Sequence, residues 1–195
     1  MTGLEMGLLR RRLRRCGFRV YRFHYRSLRE GVPAAAHALR RFLDRLPEPT
    51  VHFVAHSLGG LVVRRLLHEA PMSRVGRVVT LGTPHVGCSV AARLGHARWG
   101  RRLLGAGYSE GLDGRAPPWT RAHPLGSIAG TRPVGIGRLL ADLPRPHDGT
   151  VAVAETRLPG ADHWTVHTSH TGLLLSGEVA RQTCRYLNSG AFSAD

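Results

Sequence analysis

Apolar and polar residues alternate along this chain with two periods, one typical of amphipathic helices and one typical of strands. The helical period predicts helices over residues 4–16, 33–46, 61–69, 137–142 and 172–187. The two-residue period and short apolar runs predict strands over residues 18–25, 50–55, 74–81 and 125–129, with a further extended segment at 150–158. Because strands and helices alternate, we expect one α/β domain whose mostly parallel sheet is covered by helices on both faces.

Residues 86–123 interrupt this alternation and form an insertion with no period of its own. Its large apolar side chains stand among glycines, prolines and arginines, and include Trp99, Leu103, Leu104, Leu112 and Trp119. Long insertions that carry apolar residues tend to be functional, so a lid over an acyl pocket is one interpretation. A satellite of the hydrophobic core is the other.

Length and composition place the chain among folded globular proteins. Its 195 residues, 42% of them hydrophobic, are enough for one domain with a full core. No apolar run approaches the roughly 18 residues that span a membrane, and the N-terminus has no signal-peptide core. The chain as written is predicted to be cytoplasmic, an inference that weakens if an export signal lies upstream.

The three cysteines, Cys16, Cys88 and Cys184, are far apart in sequence and form no CxxC pair. This spacing indicates neither a disulfide framework nor a zinc knuckle. We predict that Cys16 and Cys184 are thiols of the core, and that Cys88 is a buried thiol rather than a nucleophile.

The formal net charge is +15 at pH 7, and all 28 basic residues are arginines. Such a charge favours nucleic acid or an anionic surface as a partner. The absence of lysine is instead typical of a GC-rich genome, and the arginines are dispersed apart from a cluster at residues 10–15. Since no nucleic-acid recognition motif accompanies the charge, we predict no nucleic-acid partner and favour weak association with a membrane surface.

A candidate nucleophile stands where a predicted strand meets a predicted helix. The sequence AHSLGG at 55–60 places Ser57 on this tight turn, with small residues at Ala55 and Gly59 that let the helix pack close to the strand. The alternative is that Ser57 only caps the following helix, since serine is a favoured capping residue.

The strings VHFVAHSLGGLVVRRLL and VVTLGTPHVG resemble the nucleophile region and the following strand and loop of bacterial lipases and esterases of the α/β-hydrolase family. The resemblance extends from the first helix to the last and is poorest in residues 86–123. It implies an α/β-hydrolase fold and hydrolysis of carboxylic esters by a Ser-His-Asp triad without a cofactor.

In this family the catalytic acid follows the nucleophile in the chain and the histidine follows the acid. Asp148, in the sequence HDGTV, lies where the resemblance places the acid. Asp-Gly is also a common turn pair, so a plain turn is the alternative for Asp148. Asp142 and Asp162 are the other candidates for the acid.

His170, in the sequence SHTGL, directly precedes the last predicted helix, as the catalytic histidine does in related enzymes. His163 and His167 are the alternative bases. The spacing of these three histidines could also suggest a metal site, but no second ligand cluster or helical frame accompanies it, so we predict no metal.

The residues beside the nucleophile and after the next strand are candidates for the substrate pocket. His56 is usually structural in such elbows. Thr83, Pro84 and His85 follow a strand that should end near the active site, and an ordinary loop is the alternative for each of them.

The oxyanion of the tetrahedral intermediate needs two backbone donors, and the Leu58 N–H supplies one. In the family the second donor comes from a His-Gly loop that follows an early strand. That strand lies in the sheet between the strands predicted here at 18–25 and 50–55. This chain opens directly on its first helix. We therefore expect an N-terminally truncated form of an intact enzyme, with a degenerate hydrolase as the alternative.

The sequence thus predicts a serine hydrolase of small-molecule or lipid esters, in which Ser57 attacks, His170 transfers the proton and Asp148 orients the histidine. Thioesters, phospholipids and amides remain alternative substrates. The competing hypothesis is an inactive hydrolase-fold scaffold that binds lipid or a protein partner.

Overall fold

The computed structural model describes residues 5–25, 31–96, 112–119, 122–135 and 143–193. Its helices are α1 (Glu5–Arg15), α2 (Gly31–Leu43), α3 (Leu58–Glu69), α4 (Ser89–His96), α5 (Gly172–Leu175) and α6 (Gly177–Ser189). Its strands are β1 (Val51–His56), β2 (Val75–Leu81), β3 (Leu125–Gly130) and β4 (Asp162–Val166), and a 3₁₀ turn covers Val153–Thr156. The predicted helix at 137–142 and much of the insertion, with Trp99, Leu103 and Leu104, lie outside the described residues.

The four strands form one sheet in the order β1-β2-β3-β4, and each neighbouring pair is parallel. One row across the sheet places Thr80 opposite Ala55, and Ser127 opposite Thr80. Since all four strands run in the same direction, the loops that follow them lie along one edge of the sheet. This edge brings together segments that are far apart in the sequence.

Helices cover both faces of the sheet. Val78 packs in a core cluster with α2 and α3, whereas the next residue, Val79, packs in a second cluster with α1, α5 and α6. Successive strand residues point to opposite faces, so the two clusters are the two layers between sheet and helices. The predicted α/β architecture with a parallel sheet is confirmed.

The predicted strand at 18–25 is wrong, because this segment forms no hydrogen-bonded ladder. Its aromatic side chains pack against the domain all the same. The rings of Phe18 and His52 meet edge to face with centroids 6.0 Å apart, and Phe23 lies 5.5 Å from Phe42. Alternating aromatic and polar residues therefore reflect one-sided packing here, which does not require strand pairing.

Three differences from the sequence prediction lie in the C-terminal part. β4 was not predicted, because its sequence DHWTV lacks a long apolar run, and the segment at 150–158 contains the 3₁₀ turn. The last helix is divided into α5 and α6 at Ser176, whose hydroxyl accepts a hydrogen bond from Val179 N at 3.3 Å and caps α6. This division leaves α5 as a short turn directly after His170.

Cys16 and Cys184 form a disulfide, so their prediction as free core thiols is wrong. The bond joins the end of α1 to α6 across 168 residues of sequence. The two helices are neighbours only after folding, and the wide spacing of the cysteines therefore hid the pair. Cys88 is free and buried as predicted, and burial raises the pKa of its thiol to about 11.

Two observations bear on localisation. Within the described part of the chain, every helix is too short or too polar to cross a bilayer. Disulfides form mainly in oxidising compartments but also occur in some cytosolic proteins, so the bond between Cys16 and Cys184 does not decide the compartment, and the cytoplasmic localisation stays a prediction.

Candidate active site

Ser57 occupies the turn between β1 and α3 with φ 52° and ψ −127°, a left-handed conformation that costs a non-glycine residue about 1–3 kcal/mol. Two contacts hold it there. Ser57 N donates to Leu81 O at 2.9 Å, and the Thr83 hydroxyl donates to Ser57 O at 2.8 Å. The Ser57 side chain makes no capping hydrogen bond to α3, so its hydroxyl is not engaged as the capping interpretation requires.

Glycines permit the close approach of α3 to the neighbouring strand. A Cβ at Gly60 would lie 2.3 Å from Thr83 Oγ1, so no side chain fits at this position. A Cβ at Gly59 would be 3.7 Å from Ala55 Cβ, which is an ordinary contact. The steric constraint therefore acts most strongly at Gly60, through the same threonine that holds the Ser57 carbonyl.

His170 and Asp148 are brought together after β4 and β3. His170 Nδ1 donates to Asp148 Oδ2 at 2.7 Å, and the His170 backbone N–H donates to Asp148 O at 2.9 Å. The other carboxylate oxygen accepts from Thr150 N at 2.9 Å and Val151 N at 2.7 Å. Asp148 is only 1% exposed, so its carboxylate is both dehydrated and fully bonded. The Asp-Gly turn is present and its carboxylate contacts His170, so the turn does not exclude the acid role, which stays a prediction.

Two contacts place His170 beside the nucleophile turn. His56 Nε2 donates to His170 O at 3.0 Å, and the two imidazole rings have centroids 4.6 Å apart. A Cβ at Gly82, in the left-handed region at φ 57°, would lie 3.0 Å from His170 Nδ1. The sheet edge therefore gathers Ser57, His170 and Asp148, which sequence alone places far apart. The Ser57 hydroxyl and the His170 ring are not hydrogen-bonded to each other, as is common before substrate binds.

His56 is a buried, neutral imidazole. Burial, reinforced by the charge of His170, lowers its pKa to about 3. Because its Nε2 donates to a carbonyl, the proton is on that nitrogen, and the ring acts as a support for His170.

The remaining residues predicted for the substrate pocket are buried under the nucleophile turn. Thr83 and His85 are 0% and 1% exposed, and Pro84 between them is also buried. His85 Nε2 bonds with Thr80 Oγ1 at 3.0 Å, and burial lowers its pKa to about 3. The bonds of Thr83 and His85 support the loop. A pocket role for His56, Thr83, Pro84 and His85 stays a prediction.

The alternative acids and bases have other surroundings. His163 Nε2 bonds with Thr156 Oγ1 at 2.8 Å, and His167 is exposed beside Thr131. Asp162 begins β4, at the end of the strand opposite to His170, and accepts from the Tyr186 hydroxyl at 3.0 Å. Asp142 lies outside the described residues. The three histidines of this region therefore point to three different partners rather than to a shared centre.

The backbone N–H of Leu58 is the first of α3. The first N–H groups of a helix have no acceptor within the helix, and the helix dipole favours negative charge there. Leu58 N–H is therefore available beside Ser57 for a developing oxyanion.

The sequence profile of the alpha/beta hydrolase fold family matches residues 10–110, which include the nucleophile turn. The chain belongs to this family. Comparison of this chain with curated proteins gave no significant match.

Solved structures with a similar fold include esterases and lipases. A mature lipase of Bacillus licheniformis is 20% identical, with 80% of this chain and 71% of that chain covered and a TM-score of 0.59. A carboxylesterase of Bacillus subtilis is 16% identical, with 94% of this chain and 80% of that chain covered and a TM-score of 0.54. A phospholipase of Legionella pneumophila, solved in complex with thio-NAD, is 18% identical, with 80% of this chain and 42% of that chain covered and a TM-score of 0.62. At these identities the similarity shows that this chain shares their fold.

Glu155 supports the candidate site and was not predicted from the sequence. Its carboxylate is buried and accepts from Ser89 N at 2.6 Å, from the Ser89 hydroxyl at 2.5 Å and from Ala152 N at 2.8 Å. It thereby ties the start of α4 to the segment that follows Asp148. The one signal in the sequence is an acidic residue in the otherwise apolar run VAVAE.

Arg64 was also not predicted from the sequence. It is 7% exposed on α3 and donates to the backbone oxygens of His85 at 2.6 Å, Pro117 at 2.6 Å and Ala116 at 3.4 Å. The nucleophile helix is thus joined to the loop after β2 and to the end of the insertion. An arginine inside the apolar run LVVRRLL was the available signal.

Proposed function

We propose that the chain is a serine hydrolase of carboxylic esters. The observation that carries the proposal is the 2.7 Å bond between His170 Nδ1 and buried Asp148, at the sheet edge where Ser57 is held at φ 52°. An oriented imidazole close to a partly exposed, strained serine is the arrangement that acyl transfer requires.

In the proposed reaction, Ser57 Oγ attacks the acyl carbon of the ester while His170 Nε2 takes the hydroxyl proton. The carbonyl oxygen becomes an oxyanion, which Leu58 N–H stabilises at the start of α3. The intermediate then collapses, and the alcohol leaves with the proton held by His170. Water subsequently attacks the acyl-enzyme by the same proton transfers, releasing the carboxylic acid and free Ser57.

Asp148 acts on this cycle through His170. Its carboxylate holds the Nδ1 proton, so Nε2 is the basic nitrogen toward the substrate. It also stabilises the imidazolium that forms when His170 takes the serine proton. The two backbone donors at Thr150 and Val151 fix the carboxylate in this orientation.

The choice of esters rests on the residues that resemble lipases and on the names of similar structures, a lipase and a carboxylesterase. Hydrolysis of p-nitrophenyl butyrate and p-nitrophenyl octanoate tests it directly. We expect Ser57→Ala to abolish the rate and the exposed-site control Ser189→Ala to leave it unchanged. If the folded protein releases no p-nitrophenol from either ester, or Ser57→Ala retains the rate, the proposal fails and the inactive scaffold takes its place.

A further inference from the structure

The outer face of α1 is made almost entirely of arginine. Leu9 and Leu13 pack into the core, which turns Arg10, Arg11, Arg14 and Arg15 outward. At 3.6 residues per turn these four side chains fall within about 140° of the helix circumference. We call them the arginine face.

An open cavity lies along the arginine face. Gly7 lies one helical turn before Arg10 and Arg11, and a side chain there would meet nothing within 4 Å, so the surface is open at this point. The shallow cavity over this glycine has a volume of about 520 Å³ and is lined by Gly7 and the four arginines. A cavity lined by four arginines fits a phosphate-bearing group, because guanidinium groups are cationic and donate N–H hydrogen bonds to phosphate oxygens.

No ion pair engages the arginine face among the described side chains. The ion pairs of the described residues involve other arginines, such as Arg40 with Asp44 and Arg65 with Glu69. The positive charge of α1 is therefore not neutralised by neighbouring carboxylates of the described residues. A charged face of this kind attracts an anionic partner.

Apolar side chains border the same face. Leu8 is 37% exposed and lies one helical turn before Arg12. Arg12 Nη1 donates a hydrogen bond to the backbone carbonyl of Leu175, and Leu175 is itself 50% exposed. Leu175 ends α5, the turn that begins two residues after His170. The cationic surface is thus continuous with exposed leucines and with the element that follows the catalytic histidine.

We propose that the arginine face of α1 binds the phosphate headgroups of an anionic phospholipid bilayer, with Leu8 and Leu175 entering the interface. Basic side chains at headgroup level and apolar side chains beneath them are how amphipathic helices lie on membranes. Nucleic acid is the less favoured partner, since exposed leucines beside the arginines contribute nothing to phosphate contacts in water. The proposal is independent of ester hydrolysis.

Vesicle co-sedimentation tests the proposal, with vesicles of phosphatidylcholine alone and with about one third phosphatidylglycerol. We expect binding to the anionic vesicles, and its loss when salt rises from about 0.1 M to about 0.5 M. The triple variant Arg11→Gln, Arg14→Gln, Arg15→Gln should lower the partition coefficient on the order of 100-fold, at about fivefold per arginine. Equal binding to both kinds of vesicle would contradict the proposal.

A matched triple variant, Arg41→Gln, Arg45→Gln, Arg157→Gln, removes the same charge from exposed positions elsewhere. We expect it to lower the partition coefficient less than about threefold, because charges beyond a Debye length from the bilayer are screened. An equal loss in both variants would show that net charge alone is responsible and would overturn the proposal.

Further variants and controls complete the test. Lysines in place of the three α1 arginines keep the positive charge and should retain binding within about threefold, because attraction to the anionic surface depends mainly on charge. Near-ultraviolet circular dichroism checks that each variant is folded. Leu8→Gln with Leu175→Gln should weaken vesicle binding and leave the affinity for a short DNA duplex unchanged. Ser57→Ala should bind vesicles like the unmodified protein. If the duplex binds more tightly than the anionic vesicles, nucleic acid is the partner and the proposal is wrong.

Discussion

Two buried neutral histidines make the folded state sensitive to acid. Burial lowers the pKa of His56 and of His85 from 6.5 to about 3. In the unfolded chain both rings take up a proton below their ordinary pKa, whereas in the folded chain they do not. The unfolded state therefore binds more protons between pH 6.5 and about 3, so the free energy of unfolding falls as the pH falls through this range.

The size of the effect follows from the same pKa values. Each histidine gives a slope of about 1.4 kcal/mol per pH unit, so the pair removes about 5 kcal/mol between neutral pH and about pH 4.5. A loss of that size is comparable with the whole stability of many domains. His56 and His85 are 7% and 1% exposed, so water does little to reduce it.

Urea unfolding followed by tryptophan fluorescence, between about pH 6 and about pH 4, measures the slope. His85→Gln should reduce the slope by about 1.4 kcal/mol per pH unit, whatever its effect at neutral pH. The control His68→Gln removes an exposed histidine and should keep the original slope. An unchanged slope in His85→Gln would show that His85 is protonated in the folded protein and would refute the argument.

Other expected outcomes concern the supports of the site. Glu155→Gln turns an amide NH₂ toward backbone donors and should lower the free energy of unfolding by about 2 kcal/mol in urea at pH 7. Cys16→Ser with Cys184→Ser opens a loop of 168 residues and should cost about 2–5 kcal/mol by the same assay; non-reducing peptide mapping should find the bond in the unmodified protein. Arg64→Lys cannot reach all three carbonyls and should speed tryptic cleavage after Arg115; an unchanged cleavage rate would contradict this.

Local patterns predicted the elements whose structure depends on neighbours in sequence. The run TVHFVAHSLGG contains a strand, a tight turn and the start of a helix, and the structure places Ser57 in that turn. The turn at Asp148 could be predicted for the same reason, since Asp-Gly favours a turn whose backbone donors bind the carboxylate.

Features that depend on the assembled fold could not be predicted. The alternation at 18–25 predicted a strand, but a strand needs a hydrogen-bonded partner, and packing on His52 and Phe42 satisfies the same alternation. The disulfide depends on α1 and α6 becoming neighbours. Glu155 looked like an ordinary polar residue because its partner Ser89 is 66 residues away in sequence.

Labelling with a fluorophosphonate probe tests most directly whether Ser57 is an activated nucleophile. Only a serine whose proton can be taken by a neighbouring base reacts readily with this probe. The account predicts covalent labelling at Ser57 by peptide mapping, none in Ser57→Ala, strong reduction in His170→Ala and in Asp148→Asn, and full labelling in Ser189→Ala. Labelling that persists in His170→Ala, or that maps to another serine, would contradict the central claim that His170 and Asp148 activate Ser57.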